Sequence, residues 1–294
     1  FKTAVTIYIL IPFLVIPQII LSGIIVKFDK LNPEISNPKE IPIYGEVMTS
    51  RWAYEALAVR LFKDNEYEKL FYNFEKSMYQ SDFKKNYWIR TLRNKITSIE
   101  NALNDKSKQT KLKDDLDLLR NEIKKEMKQV KRIQFDKIEM LYPEKVTQSV
   151  LTELTEYFDI LNEYYVKKYN IASNAKDKLV GDITRTEEEK KQFVLLKKMY
   201  HNENLADFCR NSSEVERIVE YNGQLIQKID PIFLDPDSKF LRSHFYAPRK
   251  PVFGIFIDTF WINVMVIWFM TILLYVTLNF KALKRILDFL ERMS

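Results

Sequence analysis

The sequence predicts an all-α membrane protein in which two transmembrane helices flank a large helical extracytoplasmic domain. Two apolar stretches lie near the ends of the 294-residue chain, and the polar segment between them carries apolar residues at helical spacing. The chain contains only five glycines, which disfavours a sandwich or barrel because the turns of such folds need many more. Hydrophobic residues make up 46% of the chain, which excludes wholesale disorder.

The first apolar stretch runs without a charge from Ala4 to Val26. A helix needs about 20 apolar residues to cross a hydrocarbon core of ~30 Å. Pro12, Pro17 and Gly23 interrupt the stretch, and spanning helices tolerate such residues where neighbouring groups satisfy the freed carbonyls. We therefore expect residues 1–28 to form a broken transmembrane helix packed against other helices. A simple kinked anchor is the alternative.

Three prolines within residues 29–50 indicate an irregular loop at the membrane surface. We expect residues 51–250 to form the helical extracytoplasmic domain, with Ser50 capping a helix that continues to Tyr79. Two seams of apolar residues, joined by the polar residues 104–110, predict an antiparallel hairpin at about 84–141. Their members are Leu92, Ile96, Ile99 and Leu103, then Leu112, Leu116, Leu119 and Ile123.

A third amphipathic helix is predicted from Val146 to Leu179. Two capping-box patterns, Thr184–Glu187 and Ser213–Glu216, predict the starts of two further helices. Pro143 is expected to end the hairpin before them.

Residues 251–279 form the second predicted transmembrane helix, and residues 280–294 a basic amphipathic tail. The basic flank indicates that this end is cytoplasmic, so both chain ends lie in the cytoplasm and residues of about 29–250 lie outside it. We expect a multi-pass protein of the bacterial cytoplasmic (inner) membrane. Asp258 and Asn263 are its intramembrane polar residues. Asp258 is either a functional group or a headgroup contact, and Asn263 an interhelical hydrogen-bonding residue.

The sequence contains no phosphate-binding loop, nucleophile elbow or zinc-helix motif. Its two histidines lie far apart and Cys209 is the single cysteine, so we predict no catalytic, cofactor-binding or metal-binding residue on this chain. Basic residues of the polar middle alternate with acidic ones, which is typical of solvated helix faces and disfavours a nucleic-acid partner.

Two segments resemble ABC-2 type permeases of ABC transporters, especially the G subfamily. The first, PQIILSGIIV from Pro17 to Val26, is similar to the family pattern in which Pro-Gln precedes Ser-Gly. The second, SRWAYEAL from Ser50 to Leu57, is similar to a later family segment, but lacks the proline usually found beside the serine. The matching polar positions are Gln18, Ser22, Ser50, Arg51 and Glu55. With the second apolar helix, the resemblance covers about 100 residues at the two ends of the chain.

The resemblance implies that the chain carries the last two transmembrane helices of a half-transporter that works as a homodimer, as an exporter. ATP and Mg²⁺ would bind a nucleotide-binding domain on the same polypeptide or on a partner. Since the sequence opens with Phe1, we expect it to be part of a longer protein. By resemblance, Ile24 and Ile25 form the outer gate of the translocation path.

Two other functions fit the same topology. One is a two-span receptor or sensor. The other is a scaffold subunit whose helical domain binds an extracytoplasmic protein partner. Membrane lipids are partners in every case.

Overall fold

The computed structural model of the protein describes residues 4–30, 37–103, 109–238, 240–281 and 285. The chain divides into two compact units. The terminal unit combines Phe1–Phe62 with Asp235–Ser294, and the central unit is Lys63–Leu234. The protein is mostly helical, as predicted, and the described residues also form two short β-hairpins.

The described helices, in chain order, are α1 (Ala4–Ile20), α2 (Ile43–Val47), α3 (Thr49–Lys63), α4 (Glu68–Phe83), α5 (Ile89–Leu103), α6 (Gln109–Gln129), α7 (Gln148–Ile183), α8 (Glu187–Tyr200), α9 (Glu203–Arg210) and α10 (Thr259–Asn279). The strands are β1 (Ile218–Tyr221), β2 (Gln224–Gln227), β3 (Arg249–Val252) and β4 (Ile255–Asp258). Both hairpins are antiparallel two-stranded ribbons, β1 with β2 and β3 with β4.

The predicted helical hairpin is confirmed in the central unit. The two arms run in opposite directions, since Trp88 Nε1, directly before α5, donates to Glu122 of α6 at 2.6 Å, and Lys95 Nζ of α5 donates to Asp115 of α6 at 2.7 Å. Both predicted seams are buried in one hydrophobic core, except Leu103, which is exposed. The second helix of the hairpin ends at Gln129, well before Pro143, and the expected turn at 104–110 falls mostly on residues outside those described.

Helix α7 packs antiparallel to α4 and α5, which follow one another along the chain. Contacts along its length include Lys176 with Glu75 at 2.6 Å and Gln148 with Glu100 at 2.6 Å. Its observed bounds agree closely with the predicted Val146–Leu179. The core of the central unit therefore lies between α7, α6 and the continuous helical run from α4 to α5.

One turn of that run is not α-helical. Lys84–Trp88 forms a π-helical turn between α4 and α5, and the backbone N–H of Ile89 donates to the carbonyl of Lys84, five residues back. Such turns carry one residue more than an α-helical turn. The turn directs Trp88 into the core, where its side chain is 2% exposed.

Three local predictions for the central region are wrong. The helix expected from Ser50 to Tyr79 is two helices, because Asn65 Oδ1 accepts the backbone N–H groups of Tyr67 and Glu68 and starts α4 afresh. The capping box of α8 is Thr186 with Glu189, two residues later than predicted.

The third concerns Ser213–Glu216, which does not start a helix; β1 follows instead. Its hairpin turns at Asn222-Gly223, where both residues have positive φ angles. A two-residue turn of this kind matches the twist of the paired strands.

In the terminal unit, α1 is a single helix of 17 residues that continues through Pro12 and Pro17. The prediction that these prolines break it is wrong, since each removes only one backbone donor and the remaining ladder persists. The helix ends at Ile20, and Gly23 at φ 78° then turns the chain. Of the three predicted helix-breaking residues, only Gly23 lies outside the helix.

The helix expected at 251–279 begins only at Thr259, because the preceding residues pair as β3 and β4. Asp258 is therefore not inside the helix. It is the N-cap, and its carboxylate accepts the backbone N–H of Phe260 at 2.9 Å.

Among the described residues, α10 is the one helix long and apolar enough to cross a membrane. Only 11% of its most apolar stretch is buried, whereas a core helix of a soluble protein would be mostly covered. The described part of α1, Ala4–Ile20, is about 26 Å long at 1.5 Å per residue, compared with ~30 Å for the hydrocarbon core. The basic tail at 280–294 lies mostly outside the described residues.

Candidate functional site

Four ionisable side chains form a cluster in the terminal unit, which we call the charge cluster: Glu46, Arg51, Glu55 and Lys250. The side chains of Arg51, Glu55 and Lys250 are completely buried. Arg51 Nη1 lies 2.9 Å and Lys250 Nζ 2.6 Å from Glu55 Oε2. Arg51 also pairs with Glu46. Two carboxylates therefore balance two cations, which is the arrangement that makes burial of charge tolerable.

Trp52 closes one side of the charge cluster. Its Nε1 donates to the Glu46 carbonyl at 2.7 Å, and the guanidinium carbon of Arg51 lies 3.5 Å from the ring centroid. Lys250 Nζ is 4.4 Å from the same ring. The ring thus contributes cation–π attraction to both buried cations.

Asn263 joins helix α10 to the charge cluster. Its Nδ2 donates to the Trp52 carbonyl at 3.0 Å and to Glu55 Oε2 at 2.9 Å. The interhelical hydrogen bond expected for Asn263 is therefore present. Glu55 Oε2 accepts from three side chains that belong to α3, β3 and α10. One carboxylate oxygen fixes three elements from opposite ends of the chain.

Helix α3 runs antiparallel to the first half of α10. The guanidinium of Arg60 lies 5.6 Å from the Phe260 ring, near the start of α10. Asn263 contacts the middle of α3, and Thr49 Oγ1 lies 3.7 Å from Met270 Sδ, at the start of α3. The numbering falls along one helix as it rises along the other, so the two helices run in opposite directions where they meet.

The two segments that carry the family resemblance meet in the terminal unit. Ser50 Oγ donates to the Gln18 carbonyl at 3.1 Å, which joins α3 to the end of α1. Ser50 lies inside α3 rather than at its cap. Ser22 is buried and its Oγ donates to the Ile19 carbonyl at 2.7 Å. Arg51 and Glu55 belong to the charge cluster described above.

The proposed gate residues lie in the irregular segment after α1. Ile24 is half-buried and Ile25 is 66% exposed. Gly23 allows Phe28 to pack over this segment, since a Cβ at Gly23 would lie 2.3 Å from the Phe28 ring. The aromatic ring therefore holds the backbone just before Ile24 in one shape.

Neither Glu46 nor Lys250 is predicted as a site residue by the sequence. Lys250 lies in a stretch that reads as a loop leading to the second apolar helix, and its partner Glu55 is 195 residues away. A single sequence carries no signal for an ion pair at that separation. Glu46 follows a glycine within a proline-rich segment that indicates irregular structure.

A second buried polar group lies beside the π-helical turn in the central unit. Glu126 is fully buried and pairs with Lys84 and with the hydroxyl of Tyr165. Burial, with the adjacent Glu126 carboxylate, raises the pKa of Tyr165 well above its ordinary value. Tyr165 therefore stays protonated and acts as a hydrogen-bond donor to Glu126.

His201 pairs with Glu68 where α8 ends against the start of α4. Burial raises the pKa of Glu68, against the lowering effect of its hydrogen bond with His201. Within the described ranges, no group of three His, Cys, Asp or Glu side chains could hold a metal ion. Burial raises the pKa of Cys209 to about 12, so its thiolate is scarce at neutral pH.

Comparisons of the chain with family models, with curated proteins and with solved structures find no match.

Proposed function

We propose that the chain forms the membrane-embedded permease part of an ATP-driven ABC transporter of the ABC-2 type, acting as an exporter. In this proposal α10 crosses the membrane, α1 enters it from the cytoplasmic side, and the central unit lies outside. ATP and Mg²⁺ bind a nucleotide-binding domain encoded upstream or on a partner, and two copies complete the translocation path.

The observation that carries the proposal is the meeting of three segments that are distant in sequence. The two family-like segments touch through Ser50 and Gln18, and the second of them is bound to α10 through Glu55 and Asn263. The resemblance rests on sequence patterns alone, and the contacts give those patterned residues a common place.

The bare surfaces of α1 and α10 also support a membrane location. Large apolar side chains along both helices are exposed, among them Phe13 at 72%, Leu14 at 65%, Trp268 at 64% and Phe269 at 66%. Apolar faces of this extent are costly in water, at ~25 cal/mol per Å². In this proposal the exposed apolar side chains are covered by lipid, by the remaining helices of the permease and by the second copy of the chain.

The gate part of the proposal assigns Ile24 and Ile25 to the outer end of the path. They follow Gly23 and an irregular backbone, and such backbone at membrane depth is tolerated where it lines a cavity. Apolar constrictions close pores by excluding water. Two branched residues from each copy would form such a constriction around the dimer axis.

The first test is to sequence the full gene that encodes the chain. A phosphate-loop ATPase domain and four apolar segments upstream of Phe1 are the expected result. An open reading frame without them on this gene or on an adjoining one would exclude the transporter, and would leave the two-span receptor or scaffold.

The second test uses the full-length protein in lipid nanodiscs. The double variant Ile24→Ala/Ile25→Ala removes several methylene or methyl groups per copy. Each contributes about 0.8 kcal/mol when it is buried in the closed gate, so the gate of the variant should leak. We expect faster basal ATP turnover and weaker stimulation by substrate, with assembly intact. Ile171→Ala, an exposed isoleucine of the central unit, is the matched control. Normal coupling in the double variant would refute the gate.

A further inference from the structure

Lys168 of α7 is a half-buried lysine beside the π-helical turn of the central unit. Its Nζ lies 6.0 Å from the ring centroid of Tyr165. Among the described residues it takes part in no ion pair and no hydrogen bond. Taking a charged group out of water is costly unless the group is paired. The ammonium group of Lys168 therefore has part of that cost and no direct counter-ion.

Glu126 attracts this ammonium group, but both of its oxygens are already engaged. Its Oε1 accepts the hydroxyl of Tyr165, and its Oε2 is paired with Lys84. Burial lowers the pKa of Lys168, the Glu126 carboxylate raises it, and the positive charge of Lys84 lowers it again. Two lysines thus share one carboxylate, and only Lys84 is bonded to it.

The π-helical turn brings a third lysine to the same stretch of α7. Lys84 and Lys85 are consecutive in the turn, and the turn packs against α7. Lys85 Nζ lies 4.1 Å from the ring centroid of Tyr169, the neighbour of Lys168. Lys85 is itself paired with Asp82 at 3.3 Å, so it adds no unpaired charge. Lys168 is the lysine of this group that lacks a partner.

The other buried carboxylate of α6 is not available to Lys168. Glu122 lies one turn before Glu126, and its Oε2 accepts the Nε1–H of Trp88 at 2.6 Å. Its Oε1 accepts the backbone N–H of Leu225 at 2.9 Å. Each oxygen of Glu122 is therefore bound by a neutral donor from another element.

We propose that Lys168 and Lys84 bind a small oxyanion, a phosphate or carboxylate group, at the edge of the π-helical turn. An ammonium group has several N–H donors, so Lys84 can bond an anion while it remains paired with Glu126. The side chain of Lys84 is 19% exposed, which leaves it within reach of a solute. Charge-assisted hydrogen bonds to an oxyanion would give Lys168 the partner that the protein does not supply.

A π-helical turn inside a longer helix is frequently found at a functional site. The site lies wholly within the central unit, away from the charge cluster. It requires neither a membrane nor transport, so the inference goes beyond the proposed function and stands or falls independently of it.

Reductive methylation of the full-length protein in detergent, read residue by residue by mass spectrometry, tests the site. Lys167 is the internal control, because it neighbours Lys168 on α7 but is exposed, with Glu163 at 3.8 Å. We expect inorganic phosphate to slow the methylation of Lys168 several-fold, since a bound anion covers the amine and favours its unreactive, protonated form. Methylation of Lys167 should be the same in phosphate and in sodium chloride of equal ionic strength.

Thermal unfolding of matched variants provides the second measurement. Lys168→Met keeps most of the apolar stem and removes the ammonium group, whereas Lys167→Met makes the same change at the exposed neighbour. Phosphate should raise the unfolding temperature of the wild type and of Lys167→Met, and should leave that of Lys168→Met unchanged. Lys84 is left intact because it is paired with the buried Glu126, and its loss would disturb folding.

Acetate in place of phosphate identifies the group that is bound. Slower methylation of Lys168 in both anions would indicate a site for any small oxyanion, and slower methylation in phosphate alone a site for a phosphate group. Equal slowing of Lys167 and Lys168 would be general ionic screening and would refute the site. It would also be refuted if neither anion protected Lys168, or if Lys168→Met kept the full shift in unfolding temperature.

Discussion

Glu55 concentrates the polar contacts of the terminal unit on a single atom. Its Oε2 accepts from Arg51, Lys250 and Asn263, each from a different element. Removing the negative charge leaves two buried cations with only Glu46 to balance them. The buried ion pairs of Glu55 with Arg51 and Lys250 therefore add little net stability, but removing one partner strongly destabilises the folded state.

We expect Glu55→Gln to destabilise the terminal unit by about 3–5 kcal/mol, the usual cost of breaking a buried ion pair. Thermal unfolding of the full-length protein in detergent measures the loss. Leu57→Ala, an exposed position on the same helix, is the control and should change stability by about 0.5 kcal/mol or less. Adding Lys250→Met to Glu55→Gln restores charge balance, so the double variant should recover part of the loss. Equal stability of Glu55→Gln and the wild type would contradict this role.

Glu68 gives the central unit a dependence on pH. Its folded-state pKa is raised by burial above the ordinary value of 4.5, although His201 opposes the shift. Below pH 4.5 the carboxyl is protonated in both states and its packing is fully favourable. As the pH rises from 4.5 through the folded-state pKa, the unfolded state ionises first, and stability is lost.

Glu68→Gln should remove that pH dependence. Hydrogen exchange at the start of α4, corrected for intrinsic rates, should show protection falling as the pH rises above 4.5 in the wild type and staying level in the variant. Glu203→Gln, a carboxylate on an exposed position of α9, serves as the control and should follow the wild type. If protection from hydrogen exchange fell equally in Glu68→Gln and in the wild type, another titratable group would be responsible for the pH dependence.

Among the elements, the turn after α1 depends on one glycine. Gly23→Ala places a Cβ against the Phe28 ring and forces an L-residue to φ 78°, which alone costs roughly 1–2 kcal/mol. We expect faster hydrogen exchange across residues 20–28. The control is Gly181→Ala, in an exposed turn of α7 where a Cβ meets no atom within 4 Å. That change should slow exchange at the end of α7, because alanine favours helix by about 1 kcal/mol. If hydrogen exchange around residue 23 were unchanged in Gly23→Ala, the turn would be able to accommodate the added Cβ, and its dependence on glycine would be contradicted.

Elements with a long periodic pattern are the ones that the sequence predicts well. The seams led by Leu92 and Leu112 repeat over four positions each, and the hairpin they predict is present. The hairpin at Asn222-Gly223 has a strong local signal as well, because Asn-Gly between alternating residues is typical of a two-residue turn. Reading Ser213–Glu216 as a helix start obscured that signal.

Other features depend on contacts that are distant in sequence. The start of α10 moves to Thr259 because β3 pairs with β4, and an apolar run alone does not distinguish a strand from a helix. Arg51 and Glu55 are predicted only through resemblance, and Lys250 not at all, since their meeting requires both ends of the chain. The charge cluster is a tertiary property.

At the scale of the whole molecule, the proposal makes a prediction about sidedness. Val215→Cys, 89% exposed in the central unit, should react with an impermeant maleimide in intact cells. Phe280→Cys, 57% exposed just after α10, should react only after lysis, because basic residues follow it on the cytoplasmic side. The parent protein is the blank, since Cys209 is buried. Labelling of Phe280→Cys but not Val215→Cys in intact cells would reverse the topology.

The π-helical turn at Lys84–Trp88 has a consequence for how this chain tolerates changes in its length. Deleting one residue there would restore an ordinary α-helix and leave the helical segments on either side facing as before, because the turn already holds one residue more than an α-helical turn. Adding a residue, or deleting one while the turn persists, would instead rotate everything beyond it by about 100°. Leu92, Ile96 and Ile99 would then turn away from α6, and Trp88 would lose Glu122. Substitutions can accumulate at the surface of this helix, but its residue count upstream of the hairpin cannot rise by one, and can fall by one only where the π-helical turn gives up its extra residue. We therefore expect homologous chains to keep the stretch between Asn65 and Leu92 free of insertions, and to tolerate a single deletion only within residues 84–88, where the turn would become α-helical.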